Sequence, residues 1–554
     1  MLSARPQELE QAGAPKPGID HSIRRDIVNF SSECFGVNLS YRVRPSLGFS
    51  KRSLGVLALL GLFAWATPTR AEEPRTAKEP RLMAESTEIT QVADAFDDDD
   101  PIDVNLSVGY MYSSRSAGIL RESASSDGLY THGNDKIADY KESTHRLLTR
   151  AEVGLYHDLS LVVRMPVIIS NSQSLGDYSG SGKQSDALRG SLGDQPLFSV
   201  PFSSPSRSGI EYLALGLDLG LMNQYRDPSK PSWTIGFETR FSVSPPMRAC
   251  NDHPASGQVK CASPGDIDRN GSRSDVQAIE KLGLEPTTYP LEGSVGSRKP
   301  GVSRGTTGLE FHSYLSKRIK YVEPYGGLRM QFEFPNASSD YGVSDLRGNL
   351  VNHPPLQGTI LTGIAVIPYE VRSDYQRLTF DFRLEGTYRS EGRDYNELFD
   401  ALGSSDARSI RMPNYTGYLP AGQQPAGSTI TSLINPNSER VYFSGLMDTQ
   451  QYLITRYSVS ASFQLNRYIK FAVGTALNHV QSHYLTFDQP CNADLTGSLQ
   501  EAGPCRGRAT VTSSWSPTGI PNPNYRAVIN APGRRFLIDG SSGFDGWLSA
   551  TAMF

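Results

Sequence analysis

The segment from Leu213 to Met222 reads Leu-Ala-Leu-Gly-Leu-Asp-Leu-Gly-Leu-Met, with a leucine at every second position and small or charged residues between. Successive side chains of a β-strand point to opposite faces, so this pattern places the leucines on one face and Gly216, Asp218 and Gly220 on the other. The same alternation recurs in the segments that begin at Val104, Leu159, Trp233 and Leu378. The chain is therefore predicted to be built from strands with one apolar and one polar face.

About twelve such segments follow one another along the chain, as expected of an all-β protein. They span 102–113, 143–156, 159–171, 209–222, 232–245, 305–316, 320–334, 358–371, 376–389, 451–465, 468–482 and 543–554. Their connections alternate between short turns, such as His157-Asp158 and Asn466-Arg467, and long stretches rich in Gly, Ser, Pro and Asn. Short turns at one end and long loops at the other are typical of transmembrane antiparallel up-and-down β-barrels. We predict that residues 102–554 form such a barrel of about 12 strands, or about 14 if residues 525–538 add a hairpin.

The polar faces of these segments carry charges of both signs. Charges at this density are costly in a dry core unless they are paired, but they suit a water-filled lumen. The predicted lumen-lining residues are Arg150, Glu152, Arg164, Glu238, Arg240, Glu323, Arg329, Glu333, Asp381, Arg383, Glu385, Arg456 and Lys470. These charges either line an aqueous pore or pair across neighbouring strands and seal it.

The chain ends with Phe544-Asp545-Gly546-Trp547-Leu548-Ser549-Ala550-Thr551-Ala552-Met553-Phe554, in which the terminal Phe is in phase with Leu548. This segment resembles the closing strand of Gram-negative outer-membrane β-barrel proteins, where a terminal Phe at the periplasmic rim is recognised by the barrel-insertion machinery. It departs from that pattern in having Ala550 and Ala552 at outward positions. The resemblance covers residues 102–554. It implies a cell outer-membrane location, contact with outer-membrane lipid and lipopolysaccharide, and Phe554 as the assembly signal.

An apolar run from Leu54 to Ala66 follows several basic residues and precedes a small residue, Ala71. This arrangement predicts an export signal cleaved near Ala71, because the run is too short to span a bilayer comfortably; a retained anchor is the alternative. Residues 1–71 are thus interpreted as an N-terminal extension, from an overcalled start, followed by a signal peptide. Residues 72–101 are predicted to be an acidic, disordered periplasmic leader. Its run Asp97–Asp100 is interpreted as solvated in preference to a calcium or partner site.

Four cysteines follow the signal, as two local pairs in turn-rich stretches: Cys250 with Cys261 and Cys491 with Cys505. An exported protein meets an oxidising compartment, so two loop disulfides are expected. Zinc sites use tighter spacing and nearby His residues, and we predict no metal and no cofactor.

Composition and motifs restrict the remaining functions. A net charge of −4 and a pI near 6.2 exclude the basic surface of general nucleic-acid binding. Possible catalytic sets are His312 with Ser313, His479 with Ser482, and His353 with Asp340 or Asp345. None has the spacing of a known site, and neighbours such as His312 and Ser313 point to opposite faces of a strand, so no enzyme activity is predicted.

Two functions fit a barrel with long loops. A porin-like channel or transporter for small polar solutes would use the lumen charges for selection. The alternative is a non-conducting scaffold or adhesin whose disulfide-stapled loops bind a partner in an envelope or surface assembly. Two loop segments with helical spacing, 275–283 and 395–402, are predicted to enter the lumen or to lie across its mouth.

Overall fold

A computed structural model describes residues 89–95, 102–124, 131–177, 188, 196–253, 258–261, 299–336, 339–342, 353–405, 407, 410, 443–486, 505–508, 515–521 and 535–554. Within these ranges, no helix is long and apolar enough to cross a membrane. The predicted helix at 275–283 and residues 525–530 lie outside them.

The described residues are mostly in β-strands. The strands are β1 (Val104–Ala124), β2 (Thr131–Tyr156), β3 (Leu159–Arg164), β4 (Val167–Asp177), β5 (Phe202–Ser203), β6 (Arg207–Ile210), β7 (Leu213–Met222), β8 (Ser232–Phe241), β9 (Cys250–His253), β10 (Gln258–Cys261), β11 (Thr306–Ser316), β12 (Val322–Pro335), β13 (Gln357–Val371), β14 (Gln376–Arg389), β15 (Gly392–Asp394), β16 (Met447–Thr449), β17 (Tyr452–Gln464), β18 (Ile469–Val480), β19 (His483–Thr486), β20 (Cys505–Arg508), β21 (Trp515–Pro521) and β22 (Phe536–Met553). The helices are α1 (Phe399–Gly403) and two 3₁₀ turns, Asp340–Gly342 and Arg372–Asp374.

The wall is a closed antiparallel barrel of 12 strands, which confirms the predicted fold class. Its order around the ring is β1, β2, β3 with β4, β6 with β7, β8, β11, β12, β13, β14, β17, β18 and β22. The last strand closes the ring on the first: the Val104 N–H donates to the Phe554 carbonyl at 3.0 Å, and the Phe554 N–H donates to the Val104 carbonyl at 2.9 Å. Phe554 itself is exposed at the rim. Residues 536–538 belong to β22, not to a separate hairpin.

One wall strand is divided in two at a proline. Pro166 has no N–H to give to the sheet, so β3 ends at Arg164 and β4 starts at Val167. The first hairpin, β1 with β2, is longer than predicted. Its outer part lacks the apolar alternation by which the other strands were recognised.

The outward face of the wall is apolar and exposed. Val473 and Leu548 are each 58% exposed, and many other outward-facing neighbours are also exposed. These neighbours include Leu106, Val108, Leu217, Phe237, Phe311, Phe332, Ile360, Phe382, Val459 and Leu477. A continuous apolar belt of this kind is unfavourable in water, at about 25 cal/mol per Å², and favourable against lipid.

The short turns all lie at one rim, where exposed aromatic side chains flank them. These are Tyr156, Trp233, Tyr321, Tyr369 and Tyr468. Such rings are typical of the headgroup level of a membrane. Three turn residues have left-handed backbone: Asp158 (φ 51°), Lys320 (φ 56°) and Tyr375 (φ 55°). A positive φ reverses the chain within a short turn, so the strands on either side of the turn can pair directly.

The two faces of β17 should respond differently to charge. Val459 points to lipid, and its neighbour Ser460 points inward opposite Asp381. We expect Val459→Arg to destabilise the barrel by about 2–4 kcal/mol, because an arginine near the bilayer midplane is poorly solvated. Ser460→Arg should cost less than about 1 kcal/mol, since the lumen face is polar and accommodates charged side chains. Denaturant unfolding in lipid vesicles measures both. Equal costs would contradict the assigned faces.

Candidate functional site

The structure places every predicted lumen residue on the inward face of the wall. On the side formed by β3, β8 and β11, these residues form a dense ion-pair cluster. Arg164 Nε donates to Glu238 Oε2 at 2.6 Å, and Arg240 Nε donates to Glu238 Oε1 at 2.8 Å. Arg240 also bonds Glu310, which like Glu238 is almost fully buried. The charges on this side are therefore mutually neutralised.

Beside this cluster, His312 Nε2 lies 3.1 Å from Asp218 Oδ1. Gly236 makes room for the ring, because a Cβ at that position would lie 2.2 Å from His312 Nε2. The lumen role of Asp218 was not predicted, although the period of two already placed it on the polar face of β7.

Ion pairs also occur on the opposite side of the lumen. Arg383 contacts Asp381 at 3.3 Å and Glu385 at 3.7 Å, and its Nε donates to the Tyr325 hydroxyl at 3.0 Å. Arg456 contacts Asp545, which was also missed as a lumen residue.

The remaining predicted residues are distributed along the lumen. Arg150 contacts Glu152 at 3.3 Å, and Glu333 contacts Arg304 at 3.0 Å near the long-loop end. Glu323 is fully buried, Arg329 on β12 lies opposite His312 on β11, and Lys470 lines two cavities.

Residues Ile89–Ala95, here called the strap, cross the lumen near the short-turn rim. Thr90 Oγ1 lies 2.9 Å from Ser316 Oγ on β11, and the Thr234 hydroxyl donates to the Thr90 carbonyl at 3.0 Å. Farther along, the Ala93 N–H donates to Glu152 Oε1 at 3.2 Å. The prediction of a disordered leader is therefore wrong for residues 89–95, because these bonds to the inner wall order them.

Gly154 on β2 is required for the strap to lie where it does. A Cβ at this position would lie 1.8 Å from the Asp94 carbonyl oxygen, and no L side chain can occupy that space. The Asp103 N–H also donates to the same carbonyl at 3.0 Å. The strap is thus fixed at both ends of its passage.

The long-loop end is covered by a cap, formed by α1 with residues 188, 197–198, 394–410 and 443–449 where described. Its apolar side chains pack together and onto the outer parts of the wall; they include Leu197, Phe198, Leu398, Leu402, Ile410, Phe443, Met447, Ile119, Leu485 and Phe536. The predicted helical segment 395–402 therefore contributes α1 to the mouth of the barrel.

Buried polar contacts attach the cap to the wall. Arg207 donates to both carboxylate oxygens of Asp400, at 2.8 and 2.6 Å, and the Cys250 N–H donates to Asp400 at 2.8 Å. Cys250 is joined to Cys261 by a disulfide with an S–S distance of 2.05 Å. Cys491 lies outside the described residues, so the second predicted pair has no structural description.

Asp394 is the centre of a second cap network. Burial alone would raise the pKa of Asp394, but Arg304, Arg389 and the Tyr395 N–H hold that pKa below its usual value. Arg304 donates to Asp394 Oδ1 at 2.8 Å. The Tyr341 hydroxyl donates to the same oxygen at 3.1 Å.

Between the strap and the cap, described residues of the lumen line several polar cavities. Two near the strap have volumes of about 140 Å³ and 110 Å³ and share Lys470, Ala472 and Ser549. A third, of about 180 Å³, lies toward the cap beside Arg115, Arg146 and Asp545.

The structure places His312 and Ser313 on opposite faces of β11, and Asp345 lies outside the described residues. Ser313 accepts a bond from Trp233 on the outer face, while His312 faces the lumen. Asp340 contacts Arg248, and the His353 ring lies by the Pro354 carbonyl. No group of His, Cys, Asp and Glu able to hold a metal occurs in the part of the chain that the structure covers.

No protein-family model matches this sequence, and no curated protein does. Among solved structures, an outer-membrane channel from Pseudomonas putida F1 is similar at 8% identity and a TM-score of 0.29, over 81% of this chain and 95% of that one. A FadL homologue from Pseudomonas aeruginosa has 9% identity and a TM-score of 0.28, over 81% and 90%. The outer-membrane protease OmpT from Escherichia coli has 9% identity and a TM-score of 0.23, over 82% and 96%. The strand pairing and the exposed apolar outer face described above give this chain the architecture of a transmembrane antiparallel β-barrel.

The depressed pKa of Asp394 makes the cap sensitive to acid. A carboxylate with a lowered pKa stabilises the fold above its ordinary pKa of about 4, and this stabilisation is lost as the pH falls through the folded value. Asp394→Asn should loosen the cap at neutral pH by about 3–5 kcal/mol, because it leaves buried arginines without their carboxylate. Hydrogen exchange of residues 392–405 measures this.

The control is Asp227→Asn, in an exposed turn where Asp227 contacts Lys230. Asp227→Asn should leave the hydrogen exchange of residues 392–405 unchanged. If Asp394→Asn also leaves this exchange unchanged, the Asp394 network does not hold the cap.

Proposed function

We propose that this protein is a gated outer-membrane channel or transporter for small polar solutes. The observation that carries the proposal is the series of polar cavities in the lumen between the strap and the cap. A barrel used only as an anchor has no need of internal space lined by charged and hydroxyl side chains. Solutes would pass when one or both coverings move.

The strap is the better candidate for the moving part. It is held by hydrogen bonds to the wall through Thr90, Ala93 and Asp94, and its buried apolar side chains, Val92, Ala93 and Ala95, are small. The cap has an apolar core as well as buried ion pairs. Segments with few buried apolar contacts open at lower free-energy cost.

The alternative is a non-conducting scaffold whose outer loops bind a partner. The ion-paired cluster of Arg164, Glu238, Arg240 and Glu310 favours it, because paired charges can seal a lumen. The two functions differ in whether displacing the strap creates a conducting state.

Gly154→Ala tests the channel directly. The added Cβ overlaps the Asp94 carbonyl, and overpacking of this kind costs about 1–3 kcal/mol. Since 1.4 kcal/mol is a factor of ten, the displaced strap should be populated about 5- to 150-fold more often. We expect a matching rise in the open fraction of single channels in planar bilayers.

Gly386→Ala is the matched control, because a Cβ there meets nothing within 4 Å. Both variants must first run as folded, heat-modifiable barrels. If Gly154→Ala is folded and still as silent as the control, the gated-channel proposal fails and the scaffold is favoured.

A further inference from the structure

The two cavities beside the strap are adjacent, because they share Lys470, Ala472 and Ser549, and are here together called the lower chamber. Their volumes are about 140 and 110 Å³. One water needs about 10–15 Å³ by the same kind of measure, so the lower chamber has room for a small organic molecule. Ile89 and Gln91 of the strap line it, so its occupant would touch the proposed gate.

The charge of the lower chamber is predominantly positive. Its lining carries four cationic side chains, Arg150, Arg377, Arg383 and Lys470, and two carboxylates, Glu152 and Asp381. Outside the lining, Glu385 contacts Arg383 at 3.7 Å, and Glu370, which lies near Arg377, is itself paired with Arg318 and Arg372, so cations remain in excess. A concave site of low dielectric with such an excess attracts anions.

The uncharged lining is rich in groups that bind hydroxyls. The hydroxyl-bearing residues are Ser107, Thr379, Ser460, Ser462, Ser549 and Thr551, and the amides are Gln91, Asn105 and Gln464. Asn105 is only 9% exposed, and its Oδ1 accepts no hydrogen bond from the described residues. A buried acceptor without a donor is costly, and a ligand hydroxyl would satisfy it.

The chamber also has an apolar side. The Trp547 ring lines it and packs over Gly474, where a Cβ would lie 2.3 Å from the ring. Arg456 lies 5.8 Å from the centre of the same ring and fixes its position. Aromatic rings of this kind contact the C–H faces of hydroxylated compounds while leaving hydroxyl groups to polar neighbours.

We propose that the lower chamber binds a small polyhydroxylated carboxylate, of the chemical class of sugar acids. Lys470 and Arg150 hold the carboxylate, the serine and threonine hydroxyls and Asn105 bond the ligand hydroxyls, and Trp547 contacts its carbon skeleton. This assignment rests on the proposed channel function for the ligand's route into the lumen. It makes the lower chamber the selective part of that route.

Isothermal titration of the purified, detergent-folded protein with sodium gluconate tests the assignment, with sorbitol as the neutral counterpart. Gluconate should bind saturably, with a dissociation constant on the order of 1 mM, because a transport site must also release its solute. Sorbitol should bind about tenfold more weakly or not at all, since it lacks the charge. Lys470→Gln and Arg150→Gln should each weaken gluconate binding about tenfold.

Arg329→Gln is the matched control: it removes the same charge from the lumen face of β12, outside the chamber lining. It should leave gluconate binding within about twofold of the unaltered protein. The assignment is overturned if gluconate does not saturate, if sorbitol binds equally well, or if Arg329→Gln weakens binding as much as Lys470→Gln. If the protein binds gluconate but never conducts, the assignment of the lower chamber holds and only the channel proposal fails. If it conducts but does not bind gluconate, only the assignment of the lower chamber fails.

Discussion

In the hydrocarbon of a membrane no water is available for the backbone, so every N–H and C=O must find its partner within the protein. For this chain the decisive pairing joins its first and last strands, from Asn105 opposite Met553 to Arg121 opposite Phe536. Once that seam is closed, no open sheet edge remains in the wall. The strict alternation of each strand then sets which side chains meet lipid and which meet the lumen. β1 begins at the short-turn rim, beside the opening that the strap covers.

The two sides of the lumen are built differently, and this difference concentrates the free space. Where β3, β8 and β11 line it, long arginine and glutamate side chains pair with one another and fill the interior. Across the lumen, β1, β17, β18 and β22 present glycine, alanine, serine and threonine, which leave cavities between the remaining cations. The barrel can therefore be closed at both ends and still keep a polar, positively charged space inside.

Much of the wall was predictable, because the period of two depends only on neighbouring residues and on which solvent each face meets. That local signal placed Arg383, Glu238 and the other predicted charges on the inward face. It could not find the strap: Ile89–Ala95 has no pattern of its own, and its order comes from contacts with Thr234, Ser316 and Glu152 far along the chain. Similarly, helical spacing predicted α1, but its position depends on Arg207, which lies 193 residues from Asp400 in sequence. Pairings between inward charges also depend on strand register, which is fixed by closure of the whole ring.

The central claim is that the strap lies inside the barrel against β11. Cysteines introduced together at Thr90 and Ser316, whose hydroxyl oxygens are 2.9 Å apart, measure this most directly. In protein isolated from outer membranes, peptide mass spectrometry should find the two new cysteines joined in nearly every molecule, with the Cys250–Cys261 bond retained. Each single variant should keep a free thiol. If both new cysteines in the double variant remain free and react with a soluble maleimide, the strap does not occupy the lumen and the account is contradicted.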